Sequence, residues 1–141
     1  MKILVVHEVN YLAKIVYEYQ ILPEMLSALG HEVTVVDYNE TWRNETHSRS
    51  LFTRSRIHRN VYRACTEGRI TVHRPGMIRV PVLSRVSGAV SSGLEVFRIM
   101  RERRQDAVLL YGLPTVGVQT LAAARALNIP VFFRSIDVMN Q

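Results

Sequence analysis

The stretch from Asp106 to Asn140 constrains the fold more than any other part of the chain. It reads DAVLLYG, then LPTVGVQTLAAARALNIP, then VFFRSID, the pattern of strand, helix, strand. Asp106 precedes four apolar residues, Ala107 to Leu110, and the run stops at Tyr111 and Gly112. A short unbroken apolar run ended by a turn is what a parallel strand buried on both faces requires. From Thr115 the apolar positions Val118, Leu121, Ala122 and Leu127 recur at helical spacing, Asn128 ends the pattern, and Pro130 cannot continue it. Val131 to Phe133 is the next strand. Parallel strands joined by one helix need a right-handed crossover, and ligands in such sheets gather at the carboxyl ends of the strands. Tyr111 to Gly117 and Arg134 to Asp137 are therefore the first places to look for a site.

The rest of the chain extends the same alternation. Lys2 to His7 is an apolar strand, residues 12 to 29 carry a helical apolar face interrupted by Pro23, and Gly30 follows as its C-terminal cap. A kink or restart is expected at Leu22 to Pro23, because an interior proline costs about 3 kcal/mol. Val33 to Val36 forms a second strand ending at Asp37. Residues 50 to 66 read as a short helix inside a long excursion, and Arg69 to Val72 as a third strand. Ile78 to Leu83 around Pro81 reads as an extended edge segment. The helix from Gly88 to about Arg103 is expected to turn Val90, Leu94, Phe97 and Met100 toward the sheet. The fold class is thus α/β: a doubly wound, Rossmann-like parallel sheet of about five strands, with helices on both faces. At 141 residues the chain is expected to form a single domain, with roughly 68% of its unfolded surface buried.

Several function classes are disfavoured by what the sequence lacks. The turn after the first strand, His7 to Tyr11, has no glycine, so the G-x-G-x-x-G cradle of dinucleotide binders is missing, and no phosphate-binding P-loop motif occurs. No resident cofactor is expected, and His47, His58 and His73 lack metal-ligand spacing with Cys65 or an acid pair. The single cysteine fits a reducing compartment, and the apolar start of four residues is too short for a signal peptide. A cytoplasmic protein is expected. Its charge is uneven: Arg43 to Arg104 carries +10 and the remainder −4. That belt, with Arg54, Arg56, Arg59 and Arg63 at its centre, is a candidate contact surface for anionic lipid or phosphorylated ligands.

MKILVVH, ALGHEVTVVD, DAVLLYG and NIPVFFRSID, taken together and in this order, resemble the N-terminal domain of GT-B glycosyltransferases of the retaining, family-4-like group. The resemblance covers essentially the whole chain, residues 1 to 141. It implies the acceptor-binding half of an enzyme that moves a sugar from a nucleotide-sugar donor to a lipid-linked or glycan acceptor. The donor would bind mainly to a C-terminal domain that this chain lacks, and the chain alone is expected to be inactive. Such acceptors imply a site peripheral to the membrane. The resemblance places the acceptor-side loop at His7, Glu8, Asn10 and Tyr11, where many members are glycine-rich. It places the cleft border at Tyr111, Gly112, Thr115 and Gly117, and cleft polar groups at Arg134 and Asp137. Many members have a His-Asp pair after the fifth strand; here it reads Ile136-Asp137, so no catalytic residue is named.

Two other classes compete. A non-enzymatic binder of polyanions or membrane surfaces would use the arginine belt and lose affinity steeply with salt. Nucleic acid is not expected as its partner, because Trp42, Phe52 and Tyr62 form no stacking series. A receiver-type regulatory domain would need paired acids after the first strand, where His7-Glu8 stands.

Overall fold

A computed structural model describes residues 1–13, 17–39, 50–112 and 114–134. They form a six-stranded sheet with three helices, in the order β1 (Lys2–His7), α1 (Tyr17–Ala28), β2 (Glu32–Val36), β3 (Arg56–Val61), β4 (Ile70–Arg74), α2 (Leu83–Arg103), β5 (Ala107–Tyr111), α3 (Gly117–Ala126) and β6 (Val131–Arg134). The strands lie in the order β3-β4-β2-β1-β5-β6. All neighbours are parallel except β3, which pairs antiparallel with β4 at the edge. The Rossmann-like α/β class stands, and its five parallel strands fall where the apolar runs put them.

Alternation along the strands divides the core in two. Ile3, Val5, Val33, Val35, Ile70 and Val72 face α1, where Tyr19, Leu22 and Leu26 cover them. Leu4, Val6, Val36, Val108 and Leu110 face the other way, against Val96, Ile99 and Met100 of α2 and Ala123 and Ala124 of α3. Strands buried on both faces need apolar side chains at odd and even positions alike, which explains the unbroken runs.

Four expectations are corrected. Residues 56 to 61 form a strand, β3, where a helix over 50 to 66 was expected; a register shift between His58 and Val61 places Asn60 at φ 54°. The α1 helix is continuous through Pro23, so no restart occurs there, and it is preceded by a turn at residues 11–13. It ends at Gly30, whose φ of +89° lets His31 N donate to Leu26 O at 3.1 Å. The segment before α2 is extended only as far as an isolated bridge between Ile78 and Phe52, and α2 already begins at Leu83.

The fourth correction concerns which face of α2 is buried. Ser84, Gly88, Ser92, Val96, Ile99 and Met100 face inward, while Val90, Leu94 and Phe97 face solvent; of the expected inward set only Met100 is buried. The cause is close packing by small residues. A Cβ on Gly88 would lie 2.5 Å from Tyr38 Cε2, and the Tyr38 hydroxyl donates to Ser84 O at 3.3 Å. Further along, His73 Nδ1 at the end of β4 lies 2.7 Å from Glu95 Oε1. Gly88→Ala should therefore destabilise the fold by about 1–3 kcal/mol through overpacking, although alanine is the better helix former by about 1 kcal/mol. Urea unfolding of the two proteins checks the sign.

Candidate functional site

The chain builds outward from β1 to β2 and β4, then crosses back to β5 and β6, so the order reverses between β1 and β5. The crevice outside the carboxyl ends of strands at such a reversal is where open α/β sheets bind ligands. The β1–β5 register pairs His7 with Tyr111, which brings the two expected loops side by side.

At this reversal the side chains are packed against one another. His7 and Tyr111 stack with ring centres 4.7 Å apart and planes 7° apart, and Tyr19 and Tyr11 meet the imidazole edge-on at 4.9 and 5.7 Å. His7, Tyr11 and Tyr111 are each about 1% exposed, so they form the floor of the crevice and not its lining. Neither His7 ring nitrogen nor the Tyr111 hydroxyl has a hydrogen-bond partner among the described residues. Burial alone pushes the His7 imidazole down to about 3, leaving it neutral at physiological pH. Burial also pushes the Tyr111 phenol up to about 12.

Glu8 points to the opposite face of the sheet. Its Oε1 accepts from Thr115 N at 2.6 Å and Val116 N at 2.9 Å, the amides leading into α3. Where dinucleotide binders place a pyrophosphate at a helix N-terminus, this chain places its own carboxylate. Gly112 makes the turn between Tyr111 and α3 with φ +87°, and a Cβ there would sit 3.5 Å from Glu8 Cδ. Gly117 is buried as the first residue of α3.

Asn10, Asp37 and Arg74 form a third group, at the ends of β1, β2 and β4. The Arg74 guanidinium holds both Asp37 oxygens, with Nε 3.0 and 3.2 Å away, and its Nη2 reaches Asn10 Oδ1 at 2.6 Å. Tyr11 N donates to Asp37 Oδ2 at 3.0 Å. Burial pushes the Asp37 carboxyl up, against the pull of Arg74 and the Tyr11 amide. Asp37, where a ribose ligand would stand in a dinucleotide fold, is thus a strand-end anchor. No sequence signal pointed to Arg74 as its partner.

Arg134 pairs with Glu18 Oε1 at 2.7 Å, which ties β6 to the start of α1. Asp137 lies outside the described residues. Of the four belt arginines, Arg63 is structural: its Nη1 donates to Tyr11 O at 3.0 Å and also to Leu12 O. Arg54 and Arg56 line a separate cavity with Arg74 and Arg79, and Arg59 is exposed on β3. Among the described residues, no three His, Cys, Asp or Glu side chains converge as a metal ion would need. No helix among them is long and apolar enough to cross a membrane.

The fold defines a Rossmann-like α/β domain, a class of open sheet in which ligands bind at the carboxyl ends of the strands. No protein-family model matches the chain, and no curated protein does. Among solved structures it is similar to the C-terminal domain of a hydrogenase from Pyrococcus furiosus, with TM-score 0.56 and 12% identity over 94% of this chain and 89% of that one. It is also similar to MurG from Acinetobacter baumannii, with TM-score 0.52 and 14% identity over 98% of this chain and 36% of MurG. MurG is a GT-B glycosyltransferase. At these identities the likeness is one of fold alone.

Proposed function

We propose that the chain is the acceptor-binding half of a GT-B glycosyltransferase, taking a glycan or a lipid-linked acceptor and working with a second domain that holds the nucleotide-sugar donor. The observation that carries this reading is the reversal between β1 and β5, which sets the His7–Tyr11 loop beside the Tyr111–Gly117 loop at the carboxyl edge of the sheet. The fold likeness to one third of MurG supports it. In this reading the aromatic floor and the Glu8–α3 contact hold the two loops rigid, and the acceptor lies above them. Donor chemistry belongs to the other domain. Incubated with a panel of nucleotide sugars, the chain alone should release no nucleoside diphosphate; measurable turnover by it would overturn the division of labour.

One specific observation favours membrane-surface contact alongside this activity. Leu83, Val86, Val90, Leu94 and Phe97 make a stripe at helical spacing on the outer face of α2, each between 39% and 66% exposed. It spans about 21 Å at 1.5 Å per residue, with exposed Arg85 and Arg101 flanking it. An apolar stripe flanked by cations suits an anionic bilayer surface. Val90→Glu with Leu94→Glu should leave stability within about 0.5 kcal/mol, because both side chains are more than half exposed. The pair should abolish cosedimentation with phosphatidylglycerol vesicles, and wild-type binding should weaken as salt rises.

A further inference from the structure

We infer that the cavity between β3 and the carboxyl end of β4 binds the phosphate or diphosphate group of a small ligand. The cavity has a volume of about 480 Å³, within the usual range for small-molecule sites. Among the described residues four arginines line it, Arg54, Arg56, Arg74 and Arg79, and no carboxylate does. Asp37 offsets Arg74 from behind. Arg54 and Arg56 are exposed and have no acid partner among the described residues.

The sheet register concentrates positive charge at this edge beyond what Asp37 offsets. Arg56 and Arg74 are direct partners across the antiparallel β3–β4 pair, so two guanidiniums are held on one face of the sheet. Like charges directly opposite each other are destabilising, and an anion between them reverses the sign. A planar guanidinium fork matches phosphate oxygens two at a time, which an ammonium cannot do.

The walls are set before any ligand arrives. Thr53 N donates to Met77 O at 2.9 Å, Met77 N donates to Thr53 Oγ1 at 2.7 Å, and Arg79 N donates to Leu51 O at 2.7 Å. The two segments approach so closely that a Cβ on Gly76 would lie 2.4 Å from Thr53 O. The cavity has the volume of a single small ligand. It also lies at the carboxyl edge of the sheet, where ligands of this fold class bind. The inference stands on the cavity and does not depend on the acceptor reading, although a phosphorylated acceptor would satisfy both.

Calorimetric titration with inorganic pyrophosphate in 150 mM salt tests it. One saturable site is expected. Arg54→Ala with Arg56→Ala should weaken binding at least tenfold, while Lys2→Ala with Arg125→Ala, an equal loss of charge elsewhere, should change it less than twofold. Absence of saturable binding, or equal weakening by both pairs, would overturn the inference; circular dichroism confirms that each variant is folded. Phosphatidic acid vesicles distinguish the source of the phosphate. Vesicle binding that falls in parallel with pyrophosphate binding in the Arg54/Arg56 pair supports a lipid-borne group, and vesicle binding that ignores the pair while pyrophosphate binding falls supports a soluble one.

Discussion

Glu24→Ala should lower the stability of the fold by about 3–5 kcal/mol, a large share of what a domain of this size has to lose. Glu24 is fully buried on α1, and its carboxylate accepts four hydrogen bonds: from the Tyr11 hydroxyl at 2.9 Å, Arg63 N at 2.8 Å, Ala64 N at 2.6 Å and Cys65 N at 2.7 Å. Truncation leaves three backbone amides and a phenol without their acceptor, and each buried donor left unmade costs about 1–3 kcal/mol less whatever water restores. The packing is as tight as the bonding, since a Cβ on Gly68 would lie 2.5 Å from Glu24 O. Through Tyr11 and Arg63 this one carboxylate joins α1, the loop after β1 and the connection from β3 to β4. Urea unfolding followed by circular dichroism measures the loss. A cost under 1 kcal/mol would mean that solvent replaces the carboxylate freely and that the junction is not held from inside.

Acid should destabilise the chain through His7 by about 3 kcal/mol between pH 6.5 and pH 4. Burial pushes the folded imidazole down to about 3, whereas in the unfolded chain it titrates at its ordinary value of 6.5. Between those two values the unfolded state binds a proton that the folded state refuses. Stability is therefore full above pH 6.5 and falls as pH falls toward 3. His7→Phe keeps a ring against Tyr111 and Tyr19 and removes the titration. Its unfolding free energy should lose about 3 kcal/mol less than that of the wild type over the same interval. Equal acid slopes for the two proteins would mean that the imidazole reaches water.

The parallel half of the sheet was legible because burial on both faces demands apolar residues at consecutive positions, and VLL before Tyr111 or VTVV before Asp37 has few other uses. The edge strand was not legible, because Arg56 to Val61 is mostly exposed, with only His58 and Val61 half-buried, and carries no apolar alternation; only its backbone pairing with β4 makes it a strand. The inward face of α2 departs from its apolar spacing for a related reason. Apolar spacing marks a face that avoids water only when that face is covered, and here Ser84 and Gly88 let the helix lie against Tyr38 while the larger residues point outward. At the carboxyl edge, the sequence located the loops through the strand ends. It could not locate the contacts made there, because Glu8 with Thr115, Arg74 with Asp37 and Glu24 with Arg63 are joined only by the fold.

The central claim is that an acceptor binds over the loops at the β1–β5 reversal. Isotope-labelled chain titrated with oligosaccharides and detergent-solubilised lipid-linked sugars, with its amide resonances followed by NMR, tests this most directly. Saturable shifts gathered at Glu8 to Leu12 and Gly112 to Gly117 are expected. Saturable shifts that leave those two loops unmoved and gather on another face of the sheet would contradict it.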